Sequence, residues 1–260
     1  MIVNRIKNHV RKTARGYRNN VIYGSTISSP DRLIWINPKE VRYKLIPFFK
    51  QWVPDRTSTY VVSGEWDQHY AEESKVYPGE YDTLPDERTL FRIQDLDWYR
   101  SFEAHFERGV PWEETELYRR RIEEGFDTSR YDTEVGLRER LADIERLYQH
   151  IDSEGYKTQS ELLEIEDTPL PAKDWTHEVQ INIGRDGKLI LDDGRNRLIL
   201  AQIIGVEKIP VRIVVRHKRW QKVRKNLASA DNPESVPKKL QKYIRHPDVG
   251  DVLTFEPRES

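Results

Sequence analysis

The sequence contains no cysteine, which excludes disulfide frameworks, cysteine-ligated zinc and thiol nucleophiles before any motif is read. It also lacks a run approaching the ~18 consecutive apolar residues of a membrane helix. The opening Met1-Ile2-Val3-Asn4-Arg5 has no apolar core of the kind a secretory signal carries. These absences predict a soluble, cytoplasmic protein. No Gly-x-x-x-x-Gly-Lys-Ser/Thr, Gly-x-Ser-x-Gly or Gly-x-Gly-x-x-Gly occurs, so P-loop, serine-hydrolase and Rossmann readings lack support. The seven histidines show no His-x-x-x-His spacing, which argues against a two-histidine zinc site.

What is present is a chain of 260 residues with 7 Trp, 13 Tyr and 7 Phe. That length suits one or two domains, and the aromatic content is too high for a disordered polymer. The net charge of −1 conceals a segregation. Residues 1–59 carry 12 Lys+Arg against 3 Asp+Glu, residues 60–174 carry 14 against 30, and residues 216–246 carry 10 against 2. Two basic arms therefore flank an acidic middle. Such a pattern fits a polyanion-binding surface, or arms and middle that neutralise each other within the fold.

Periodicity divides the chain further. Ile2, Ile6 and Val10 lie on one stripe among six cations, predicting a basic amphipathic helix over 1–24. Arg32 to Pro38 reads as a strand closed by an Asn-Pro turn, and Tyr60 to Gly64 as another strand-like run. The stretch from Glu72 to Glu87 has loop composition. Trp98, Phe102 and Phe106 recur every four residues before Gly109, and a second helix follows Pro111. A third runs from about Thr133 to Ile151. Their aromatic stripe reads as core rather than as a base-stacking platform. Beyond Pro171, alternating Val179, Ile181 and Ile183, the turn Gly184–Gly187, and Lys188–Leu191 read as a hairpin. Asp192-Asp193-Gly194 reads as a turn into a helix over 195–204 closed by Gly205, and Ile209–Val215 as a buried strand. The remainder reads as a basic tail with one short helix near 237–244.

The chemistry concentrates where the strand 189–191 delivers the chain through Gly194 into Arg195-Asn196-Arg197. A helix start presents unpaired N–H groups and a positive dipole end, and two guanidinium groups stand in its first turn. Gly194 permits close backbone approach, and a guanidinium can grip phosphate oxygens in a bidentate way. The competing reading has Asp193 capping the helix while the arginines pair with acids of the 60–174 segment. Asp192 and Asp193 could hold Mg²⁺ or act as general base. Glu65 and Asp67, framing Trp66, are further candidate acceptor-site carboxylates. Arg216, Lys218, Arg219 and Lys222 are candidate nucleic-acid contacts, with His217 a candidate phosphate contact beside them.

His177 to Ile183, Asp193-Gly194-Arg195-Asn196-Arg197-Leu198 and Ile209-Pro210-Val211-Arg212-Ile213, in that order, resemble the core of the ParB/sulfiredoxin-like superfamily. Ile34-Trp35-Ile36-Asn37-Pro38 is similar to its first strand. The resemblance implies an α/β (α+β) fold with a small mixed sheet, its core in 25–59 and 175–217. It implies an acidic helical subdomain inserted at 60–174, and a basic extension over 218–260. It further implies that this turn binds the phosphates of ATP or CTP through the matching Gly194 and Arg197; Arg195 and Asn196 of the same turn are further phosphate-binding candidates, with Mg²⁺ shared between the phosphates and Asp192 or Asp193. Asn196 stands where many relatives have His, and the cysteine of sulfiredoxin has no counterpart. The expected function is nucleotide-phosphate binding, with phosphoryl transfer or nucleotide hydrolysis if catalytic. The alternatives are a nucleic-acid-binding protein or ParB-like nuclease, and a non-catalytic nucleotide-responsive module.

Overall fold

The computed structural model describes residues 26–29, 31–47, 49, 59–71, 88–124, 133–165 and 177–256. The basic helix expected over 1–24 and the loop expected over 72–87 lie outside them. In chain order the elements are β1 (Leu33–Ile36), β2 (Tyr43–Ile46), β3 (Tyr60–Val62), β4 (Thr89–Arg92), α1 (Asp97–Arg108), α2 (Glu116–Glu124), α3 (Glu134–Glu154) and α4 (Gln159–Glu164). They continue with β5 (Val179–Ile183), β6 (Leu189–Asp193), α5 (Arg195–Ile204), β7 (Ile209–His217) and α6 (Lys218–Ala228), followed by a 3₁₀ stretch at Lys238–Tyr243.

All seven strands form one mixed sheet, ordered β1-β7-β5-β6-β2-β4, with β3 pairing the far half of β7. β5 and β6 are an antiparallel hairpin, whereas β5–β7, β6–β2 and β3–β7 are parallel. Side chains alternate between faces along each strand. Leu189 and Leu191 join Val179, Ile181, Ile183, Ile34 and Ile36 in an apolar cluster with α1, α3 and α5. Ile190 joins Leu45, Phe49, Trp66 and Val214 on the other face. The protein is thus mixed α/β, a sheet with helices packed on one side.

The helices form for the reasons the pattern gives. α1 buries Trp98 and Phe102 and ends at Gly109 in the left-handed region (φ 70°), whose N–H closes onto Ala104 and His105 carbonyls. Thr133 caps α3 through its side chain, which accepts from Gly136 N. The segment 60–174 is not helical throughout, since β3 and β4 both enter the sheet. Among the described residues its helices share the core of the sheet. Trp98, Leu137 and Leu141 pack in the same cluster as Leu198 and Val179.

Two expectations are corrected. β6 continues through Asp192 and Asp193, which sequence assigned to a turn. The basic tail opens with α6, an eleven-residue helix. β2 falls in the stretch after Lys39, to which the sequence pattern assigns no element.

Candidate functional site

Gly194 adopts φ 88° and ψ 25° and is itself the N-cap of α5, so Asp193 does not cap the helix. A Cβ at this position would stand 2.9 Å from Val179 Cα. The close approach that requires glycine here is therefore to β5. α5 has no side-chain cap and no acid in its first turn. Its leading amides are left with the partial positive charge of a helix start.

The two arginines of that turn have different surroundings. The Arg195 guanidinium lies over the Trp98 ring, 4.0 Å from its centroid, so α1 supplies a platform for it. Asp97, buried nearby, has its carboxyl raised by burial against the pull of Arg195 and Arg120. Arg197 turns inward. Its Nη1 donates to Glu178 Oε2 at 3.0 Å and its Nη2 to the His177 carbonyl. Glu178 Oε1 accepts from Gln159 N at 2.5 Å, at the start of α4. Arg197 therefore ties α5 to the entrance of β5 and, through Glu178, to α4. Burial raises the Glu178 carboxyl, and Arg197 opposes that rise. Asn196 is buried, and its Oδ1 makes no hydrogen bond.

Asp192 is fully enclosed on the face opposite the helices. Its Oδ1 accepts from Phe49 N at 2.8 Å and Asn182 Nδ2 at 2.7 Å, and its carbonyl accepts from Lys44 Nζ at 2.9 Å. Asp193, the next residue of the same strand, points to the other face and is half-buried. The two carboxylates thus stand on opposite faces of β6, so at most one of them faces the first turn of α5.

Glu65 and Asp67 are not brought to this turn. Both clamp Arg185 in the β5–β6 turn, at the other end of β6, roughly 13 Å of strand away. Asp67 accepts from Arg185 N at 2.6 Å, Nε at 2.9 Å and Nη2 at 2.7 Å, and Glu65 pairs with Nη2 at 2.9 Å. Burial pushes the Asp67 carboxyl up, but the bonds from Arg185 outweigh it and hold the group below its ordinary value.

Of the candidate nucleic-acid contacts, Arg216 is buried and occupied. It donates to Asp248 through Nε at 2.8 Å and Nη2 at 2.6 Å, and to Ser28 Oγ. Burial would raise Asp248, yet Arg216 and Arg224 hold its carboxyl down at about 2. His217 is also enclosed. Its Nδ1 accepts from Arg219 N at 3.0 Å, which fixes Nε2 as donor to the Gly64 carbonyl at 2.9 Å. Lys218, Arg219 and Lys222 are exposed on α6 together with Lys225. Sequence reasoning missed Glu178, Asn182, Arg185 and Asp248. Glu178 had a signal: folding the predicted hairpin about Gly184–Gly187 places position 178 beside the turn at 194.

The chain matches no protein-family model, no curated protein and no solved structure.

Proposed function

We propose that this protein binds the phosphate groups of a nucleotide at the first turn of α5 and acts as a binding module. Backbone amides of that turn and the Arg195 guanidinium would hold the phosphates; Arg197 would act one step back, by fixing the turn. The observation that carries this reading is a helix start with no capping side chain and no acid, next to a guanidinium lying over Trp98. The nucleotide itself comes from the resemblance of residues 177–215. Asp192, Glu65 and Asp67 are engaged in other bonds, which favours the binding module over phosphoryl transfer. Calorimetric titration of ATP and CTP, each with and without Mg²⁺, tests it against wild type and Arg195→Ala. A charge-assisted hydrogen bond contributes about 1.5–3 kcal/mol, so the variant should bind about 10–100-fold more weakly. No heat with any nucleotide at millimolar concentration, or equal affinity in the variant, would refute the reading. Release of ADP or phosphate on prolonged incubation would replace the binding module with an enzyme.

A second reading rests on α6. Lys218, Arg219, Lys222 and Lys225 are exposed, and none makes an ion pair among the described residues. Four cations on a phosphate backbone give a salt slope of about −3.6 in log–log form. Oligonucleotide binding with that slope, flattened in Lys222→Gln/Lys225→Gln, would support it.

A further inference from the structure

The seam between α1 and α2 holds an open cavity of about 650 Å³, a volume in the range of small-molecule sites. Its walls are fixed from behind. Ser101 Oγ accepts from Leu117 N at 2.9 Å, and Arg120 donates to Asp97 and to Glu116 at 3.0 Å each, which locks the two helices together. Val110 N closes onto the Ala104 carbonyl at 3.0 Å and turns the chain across the far end of α1. Arg100, Ala104 and Arg108 line the cavity at a spacing of four, so they share one stripe of α1. Two arginines therefore leave the helix roughly 12 Å apart along its axis, with only a methyl group between them. Arg119 borders the same space from α2.

These three arginines stand out from their neighbours. Arg100 lies 4.0 Å from Asp95 and 3.9 Å from Glu116, and Arg108 lies 3.9 Å from Glu103. Neither distance is a hydrogen bond. Arg119 makes no ion pair among the described residues. By contrast, Arg120 meets Asp97 at 3.0 Å and Arg138 meets Glu134 at 2.9 Å. The donor capacity of the three cavity guanidinium groups is thus unspent on acids that stand close by. Tyr99, half-buried in the same wall, also has a hydroxyl with no hydrogen bond among the described residues. Burial raises that phenol, with Glu103 and Glu107 adding to the rise, so it remains a donor.

We propose that this cavity binds a small dicarboxylate, with its two carboxylates on Arg100 and Arg108, Arg119 as a further donor, and its aliphatic chain over Ala104. A guanidinium meets a carboxylate through two parallel hydrogen bonds, which suits one fork at each end of a short chain. The acids of the cavity select against phosphate. Glu103, Glu114 and Glu116 border the same space. They repel a phosphate, which concentrates its charge on one centre, more than they repel a carboxylate carrying a single charge. Two single charges held apart can each sit on a guanidinium while the acids lie to the side. The site uses no residue of α5, so it stands independently of nucleotide binding.

Titration of adipate into the full chain at constant ionic strength, followed by backbone amide and arginine Nε–H shifts in NMR spectra, provides the test. The expected result is a saturable shift centred on residues 99–119. Arg108→Gln and Arg119→Gln should each weaken binding about 10-fold, the loss of a charge-assisted bond. Both side chains are exposed, so circular dichroism should match wild type. Hexanoate, with one carboxylate on the same chain, should bind at least about 10-fold more weakly than adipate. Glu103→Gln removes the acid nearest Arg108 and should tighten adipate binding about 2-fold or more, a gain that a merely structural role would not produce. No saturation by about 20 mM adipate overturns the proposal. So does an affinity for hexanoate or inorganic phosphate equal to that for adipate, or a Kd unchanged in either arginine variant.

Discussion

Replacing Arg197 by alanine separates a residue that builds the site from one that contacts ligand. Arg197 donates to Glu178, whose side chain is fully enclosed. Breaking a buried pair from one side costs about 3–5 kcal/mol, because the remaining charge keeps its desolvation penalty without its partner. Gln159 N still donates to Glu178, and Arg197 has some access to water, so the low end applies, about 3 kcal/mol. For a chain of this size that lowers Tm by about 6–12 °C. Arg195→Ala removes a cation–π contact over Trp98 worth about 0.5–1 kcal/mol and one of the two cations beside buried Asp97, which Arg120 still pairs, so it should destabilise less than Arg197→Ala. Nucleotide affinity should respond in the reverse order, falling mainly in Arg195→Ala once both variants are measured at a temperature where they are folded. A further signature lies in pH. The Glu178 carboxyl is raised in the folded protein by burial, and Arg197 limits that rise. Without Arg197 it rises further, so the folded variant gains relative stability on taking up a proton. Its deficit should be largest at pH 7 and shrink toward pH 5, as an acid with a raised folded pKa loses stability when pH rises through that value. Urea unfolding followed by tryptophan fluorescence at both pH values measures the stability of each variant and its pH dependence, and calorimetric titration measures the affinities. An Arg197→Ala protein within 1 kcal/mol of wild type at pH 7 would refute the assignment of this arginine as a buried tie.

Gly194→Ala should lose about 1–3 kcal/mol, since its Cβ would meet Val179 Cα at 2.9 Å in a left-handed backbone; an unchanged urea midpoint would show that the turn has room. Asp248, held at about 2 against an ordinary 3.8, contributes about 2 kcal/mol that is present above the ordinary value and lost as pH falls toward 2. Acid titration by circular dichroism should therefore find that Asp248→Asn removes this portion of the pH dependence. Asp67→Asn should speed amide exchange at Arg185, whose N–H it accepts, while leaving nucleotide affinity unchanged, because the two lie at opposite ends of β6. Equal loss of binding in that variant would contradict the separation.

What the sequence made legible follows from how each element meets solvent. β5, α1, α3 and α5 each present one apolar face, so their period was visible. β2 escaped because Lys44, Leu45 and Ile46 are all buried, leaving no alternation to read. α6 escaped because its cations masked the spacing of Trp220, Arg224 and Leu227, which are the positions it buries. The turn at Gly194 was located correctly, but a guanidinium looks the same in sequence whether it will face a ligand or a carboxylate. Only the hairpin register, which brings Glu178 back beside residue 194, separates Arg197 from Arg195.

The charge segregation admits a similar resolution. The ion pairs of the acidic helices among the described residues are made within the segment, by Arg120 with Glu116 and Asp97, Arg138 with Glu134 and Glu113, Arg146 with Asp143 and Lys157 with Glu154, and the excess acids stay on the surface. They make little call on the described basic arm. That arm divides instead along α6 and its approach: Arg216 and Arg224 are buried on Asp248 and Asp251, while the cations on the other side of the helix remain in solvent. A helix that begins with Lys218 and Arg219 and has no acid in its first turn opposes its own dipole. Packing of Trp220 and the buried ion pairs offsets that cost. The exposed charge is therefore not needed for the fold, and replacing it should change what the protein binds before it changes whether it is folded.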